Sequence, residues 1–194
     1  GYINIIDRKV VEIAFRDVRR INDNKEERIK FSINLSPKDI NWDMVGYIEE
    51  QMKVSGIKSS DIEIELTESA ELQNIESVVE IFEYIRSLGI SIAIDDFGKG
   101  YGALNYLLKF PISIIKIDKN FVDDINNNER GNKIIESIIA LSKILGIDTI
   151  AEGVETENQL EYLKKIKCDK YQGFLYSKPV KLDDFKELLK TRDS

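Results

Sequence analysis

Six short runs of this chain read as β-strands, and each ends at its C-terminal edge in a residue able to hold a metal ion or polarise a phosphate. They are Phe31–Asn34, Ile62–Glu65, Ile92–Asp96, Ile114–Lys116, Thr149–Glu152 and Lys170–Gln172. A strand needs no carboxylate at its end, and a buried one is costly unless it meets a partner. Asp95 and Asp96 are adjacent in sequence, and two neighbouring carboxylates repel unless a cation lies between them. One member of such a pair can bridge two ions while the next holds only one. Lys116 and Asp118 stand two residues apart, on the same side of a strand. Glu152-Gly153-Val154-Glu155 adds a second acidic pair, with a glycine that permits a sharp turn. The chemistry this set suits is two-ion hydrolysis, in which water is activated and an in-line displacement at phosphorus is stabilised.

Composition narrows the choice of ion. The 194 residues contain no histidine, which removes imidazole acid–base catalysis and most zinc chemistry. A metal must then be held by oxygen, which favours magnesium or manganese. The formal charge of −7 argues against a DNA or RNA polymer or an anionic membrane as partner, but admits a phosphate-bearing ligand reached through metal ions. The single cysteine, Cys168, forms no internal disulfide and fits a reducing, cytoplasmic setting. No apolar run approaches the roughly 20 residues of a membrane span, so no membrane contact is expected.

Elements to carry these residues follow from periodicity. Val10, Ile13, Ala14 and Val18 mark an amphipathic helix over 5–21, closed by the polar stretch Asn22–Arg28. Strand and helix then alternate. Ser36-Pro37 and Asn41 are N-cap signals, the latter for a helix carrying Trp42, Val45, Ile48 and Met52. Gly56-Ile57, Gly89-Ile90 and Gly146-Ile147 share one pattern, a glycine that stops a helix and an isoleucine that enters the next strand. A last helix spans 182–189. The 42% hydrophobic content is enough for one core, with no linker to divide it. Six β-α units imply an α/β fold with a mainly parallel sheet: either an open sheet, or a TIM-like (β/α) barrel of which six of eight units are present.

Taken singly, Lys116 and Asp118 also read as a structural ion pair, Asn34 as a strand-end residue and Gln172 as uninformative. Taken in order, Asn34-Leu35-Ser36, Glu65-Leu66-Thr67-Glu68, Asp95-Asp96-Phe97-Gly98, Lys116-Ile117-Asp118, Ala151-Glu152-Gly153-Val154-Glu155-Thr156 and Gln172-Gly173-Phe174-Leu175 resemble the signatures of the EAL domain, from the first helix to about Pro179. The resemblance implies metal-dependent hydrolysis of cyclic di-GMP to the linear dinucleotide pGpG. It implies two ions, magnesium or manganese, held by Asn34, Glu65, Asp95, Asp96 and Glu152, with Asp95 bridging. It implies that Lys116 orients or deprotonates the attacking water, that Asp118, Glu155 and Gln172 hold lysine, water and ligand in place, and that Glu68 anchors the loop after Asp96. The family habit of pairing near that loop implies a homodimer, and other domains of a longer chain are compatible with it.

Two departures accompany the resemblance. The family's naming motif and first strands are expected before Gly1, so residues 1–194 read as a single EAL-type domain lacking them. In the loop after Asp96, Lys99 stands where the family usually has threonine, and Gly102 and Ala103 where it has serines. Two other readings remain beside the phosphodiesterase: a catalytically weak domain that binds cyclic di-GMP as a receptor or only dimerises, and an enolase-type barrel lyase. The lyase wants a second basic residue at the strand ends, where this chain offers only Lys116.

Overall fold

The computed structural model describes residues 2–23, 28–67, 74–99 and 103–192. Its six strands are β1 (Phe31–Asn34), β2 (Ile62–Thr67), β3 (Ser91–Phe97), β4 (Ile114–Ile117), β5 (Asp148–Ala151) and β6 (Lys170–Tyr171). They lie side by side in sequence order, every neighbouring pair parallel. A parallel sheet with no reversal of strand order is wound in one direction. Right-handed crossovers then put every helix on the same side, and the other face curls inward. This is a six-stranded half-barrel, which decides between the open sheet and the barrel.

The helices are α1 (Tyr2–Asn22), α2 (Trp42–Ser55), α3 (Ile75–Ser87), α4 (Ala103–Lys109), α5 (Lys119–Asp123), α6 (Glu129–Leu145), α7 (Glu157–Lys165) and α8 (Leu182–Arg192). Their ends follow the local chemistry. The Asn41 side chain accepts from the Met44 N–H at 2.9 Å and starts α2, while Gly56 and Gly146 take left-handed φ of +69° to stop α2 and α6. Asn22 clasps Ile29 through two bonds, at 2.9 and 3.0 Å, which fixes the passage from α1 into β1. The buried stripe of α1 is Val11, Phe15 and Val18, whereas Val10 and Ile13 are exposed. Apolar residues occur on both sides of this helix. Phe15, packed edge-on against Phe31 at 5.4 Å, lies on the side that faces the sheet.

The two faces of the sheet differ sharply. Ile33, Ile62, Ile64, Leu66, Ile92, Ile94, Ile115 and Ile117 face the helices and join Phe15, Met44, Ile48, Ile81, Phe82 and Ile85 in one core. Each such side chain removed from water contributes about 1.5–3 kcal/mol. The alternate positions carry Ser32, Asn34, Glu63, Glu65, Asp95 and Lys116, with Ala93 and Ile114 below them, so the inward face is largely polar toward the strands' C-terminal ends. That polarity has no role in holding the core together and concentrates charge at the C-terminal mouth.

Candidate metal centre

The geometry of the site begins with an irregularity in β3. Ile94 pairs with Ile115 and Phe97 with Ile117, so β3 spends three residues where β4 spends two. The extra residue is a β-bulge at Asp95-Asp96, and Asp96 sits in the left-handed region at φ +57°. A bulge re-aims a side chain, and aspartate tolerates this backbone better than most residues. In a regular strand the two carboxylates would point to opposite faces. Here Asp95, Asp96 and Glu152 each bring an oxygen within 4.8 Å of the others. The Asp95 Oδ1 also accepts from the Asp96 N–H at 2.9 Å, which stiffens the bulge.

Lys116, on β4, is buried in the middle of this wall. Its Nζ lies 2.9 Å from Glu65 Oε2, 3.2 Å from Asp95 Oδ1 and 2.8 Å from Glu152 Oε1. Glu65 and Lys116 are each about 5% exposed, so the pair stands or falls together: a buried charge without its partner costs several kcal/mol. Burial pulls the lysine pKa down, but the hydrogen bonds it donates to Glu152 and Glu65 outweigh this and hold the ammonium well above its ordinary range. Burial lifts Glu152 above its ordinary value, Lys116 opposes the shift, and Asp95 adds to it. One ammonium among three carboxylates leaves the cluster acidic.

The loop after Asp96 adds a second cation. Lys99 Nζ reaches Asp96 Oδ1 at 2.7 Å and Asp118 Oδ2 at 2.8 Å. Asp118 is buried, caps α5 by accepting from the Asn120 N–H at 3.1 Å, and titrates below its ordinary range because Lys99 outweighs the cost of burial. Gly98 permits this path at φ +103°, and a Cβ there would strike the Phe121 ring. After β5, Gly153 at φ +68° lets the stem of Lys119 lie across the loop. Lys119 then pairs with Glu155 and Asp123, both at 2.9 Å.

The residues singled out in the sequence are therefore distributed unequally. Glu65, Asp95, Asp96, Lys116 and Glu152 come together, and Asp118 joins them through Lys99. Asn34 stands level with Glu65 on the adjoining strand and is exposed. The Glu155 carboxylate engages Lys119, and Gln172 is exposed at the edge of a hollow with Phe174, Tyr176 and Lys178. Glu68 and Gly102 lie outside the described residues. Two participants were not singled out as partners: Lys99, whose type was noted but not its targets, and Glu63, whose place beside Glu65 on the inward face follows from strand alternation.

The donor set suits a hard divalent cation. It is all oxygen, it is net negative, and oxygens sharing one octahedral ion bound at about 2.1 Å lie within about 4.2 Å of one another. Asp95, Asp96 and Glu152 are a side-chain adjustment from that spacing.

Fold and site together define a parallel βα-barrel protein with a carboxylate–lysine cluster at its C-terminal mouth. The chain belongs to the EAL domain family, which matches residues 1–179. The cyclic di-GMP phosphodiesterase NbdA of Pseudomonas aeruginosa is 34% identical over 98% of this chain, which spans only 24% of that relative's length. The cAMP- and cyclic-di-GMP-bound form of the EAL enzyme Bd1971 superposes with a TM-score of 0.92 at 32% identity, over 97% of this chain and 52% of that one. The manganese and cyclic-di-GMP complex of Klebsiella pneumoniae BlrP1 does so with a TM-score of 0.82 at 30% identity, over 91% of this chain and 45% of that one. No helix among the described residues is long and apolar enough to cross a membrane.

Proposed function

We propose that this chain hydrolyses cyclic di-GMP to linear pGpG at the mouth of its half-barrel, as one EAL domain working in the cytoplasm. The observation that carries the reading is the convergence of Glu65, Asp95 and Glu152 on Lys116, with Asp96 turned toward the same place by the bulge. NbdA and BlrP1 support the substrate by what they are named for or bind.

In this reading Asn34, Glu65, Asp95, Asp96 and Glu152 would hold two divalent ions, magnesium or manganese. Such ions, when bound, supply water activation and charge neutralisation at phosphorus. The chain's own residues do the rest. The bulge presents Asp95 and Asp96 to one side, where a regular strand would separate them. Lys116 orients the attacking water. With Glu65, Asp95 and Glu152 all engaged by metal ions, burial would dominate at Lys116, lower its pKa and let the ammonium release its proton to solvent, leaving an amine able to take a proton from the attacking water. Asp118 and Lys99 fix the loops after β3 and β4 against each other. Glu155 steadies the loop after β5 through Lys119, and Gln172, with Glu68, serves the ligand side of the mouth. A second copy of the chain is the partner assigned to the apolar surface beside Gly98.

Chromatography of cyclic di-GMP incubated with the chain and manganese or magnesium tests this. Conversion to pGpG that is lost with chelator and in Asp95→Asn is the expected result. Asparagine keeps the volume of Asp95 and the bond from Asp96 while removing charge. Full metal-dependent turnover by Asp95→Asn would overturn the assignment. The hold of Lys99 on Asp96 favours a second reading, binding without turnover, which the same assay separates: the ligand is then retained and not converted.

A further inference from the structure

Lys99 places an ammonium directly on a carboxylate of the metal-holding trio. Its Nζ is 2.7 Å from Asp96 and 2.8 Å from Asp118, and its side chain is 46% exposed. Lys116, by contrast, is only 6% exposed and locked among three carboxylates. A buried lysine is a fixed part of the wall, whereas one at the solvent edge on a four-carbon stem can leave when a stronger cation arrives. The left-handed backbone of Asp96 sets the direction of its Cβ, and its carboxylate is held by Lys99 at 2.7 Å, so any ion using Asp96 must contend with this ammonium. Five carboxylates (Glu65, Asp95, Asp96, Asp118 and Glu152) face two ammoniums here, and both lysines take their charge from the same acidic field that a divalent ion needs.

We propose that Lys99 is a tethered competing cation that lowers the affinity of the carboxylate cluster for a divalent ion, so that the site fills only at raised metal concentration. The inference rests on the reading of Asp95, Asp96 and Glu152 as metal ligands. Its consequence is a threshold: Asp96 is held by Lys99 when divalent ions are scarce, and Lys99 keeps only Asp118 when they are abundant.

Manganese titration of the 194-residue chain, followed by calorimetry and by the electron paramagnetic resonance of free Mn²⁺, tests it in the wild type and in Lys99→Met, Lys99→Arg and Asp96→Asn. Methionine keeps the apolar stem and removes the charge, so Lys99→Met should bind manganese about threefold more tightly, the scale of the one edge ion pair, Lys99–Asp96, that the ion must displace. Lys99→Arg, which keeps the charge, should stay near the wild type. Thermal melts report folding, and Lys99→Gln serves with the same expected direction if Lys99→Met does not fold. Folded Lys99→Met that binds manganese no more tightly than the wild type overturns the role of Lys99. If Asp96→Asn weakens binding in that case, the metal assignment stands alone. If neither the wild type nor Lys99→Met binds manganese, the metal assignment fails and this inference with it.

Discussion

Lys116 carries one positive charge among Glu65, Asp95 and Glu152, all at its hydrogen-bonding distance. Its removal leaves carboxylates facing one another in a partly desolvated mouth. Lys116→Met should therefore lower stability by about 3–5 kcal/mol in chelator, measured by urea unfolding, and manganese should restore much of the loss because a cation again sits among the acids. Unchanged stability in chelator would mean the lysine is not the counter-charge of the cluster. Glu63 makes the opposite case, an acid on which burial outweighs the hydrogen bond from Ser32 and the more distant pull of Lys116 and Lys170. It is buried and bonded to the Ser32 hydroxyl at 3.1 Å. Burial raises its pKa above the ordinary value of 4.5, and Ser32 only partly opposes this. The folded chain then binds this proton more tightly than the unfolded chain. The group's contribution is complete below the ordinary value and is lost as pH rises through the raised one. Glu63→Gln should unfold at higher urea than the wild type at about pH 8, and the gap should close as pH falls toward the ordinary value of 4.5. A gap independent of pH would assign the effect to packing.

At the scale of elements, what could be read from the sequence was whatever local chemistry decides. Five strands were legible because apolar, mostly β-branched residues alternate with small or polar ones, whereas β6, Lys170–Tyr171, has no β-branched residue; α2 and α6 ended where Gly56 and Gly146 said they should. The five central site residues were legible because each closes such a run. The bulge was not, because it exists only in the register of β3 against β4, and nothing within Asp95-Asp96-Phe97-Gly98 reveals that Ile117 lies opposite Phe97. The buried stripe of α1 was misplaced for a related reason: both sides carry apolar residues, and contact with Phe31 selected Phe15. Gly98 shows how much depends on that register. A side chain there must adopt φ +103° and displace Phe121. Gly98→Ala should cost about 1–3 kcal/mol and weaken manganese binding as well, since the bulge that aims Asp96 is anchored by the same turn. Loss of stability with undiminished manganese affinity would separate the turn from the site.

For the molecule as a whole, the distribution of apolar surface sets what it can meet. Its net charge of −7 keeps copies apart at long range, so any self-association must come from a local apolar patch. Such a patch lies directly behind the bulge: a mostly apolar hollow of about 510 Å³ lined by Phe97, Leu104, Phe121, Ile134 and Leu141, with Arg130 and Lys133 also on its wall. Leu104 is 61% exposed and Ile134 is 39% exposed, values that leave both available to a partner. Phe121 is the ring beneath Gly98, so a second copy seated there would press on the turn that positions Asp96. Association and metal binding would then be linked reciprocally, and bound divalent ions, by reducing the negative charge that keeps copies apart, would make each favour the other by the same factor. Sedimentation should show the wild type dimerising with concentration, and more readily with manganese. Ile134→Glu should stay monomeric by placing a carboxylate in the hollow, with its fold retained because the position is on the surface. A wild type that remains monomeric at every concentration, or an Ile134→Glu variant that dimerises equally well, would remove the patch from the account and leave the site to work within a single chain.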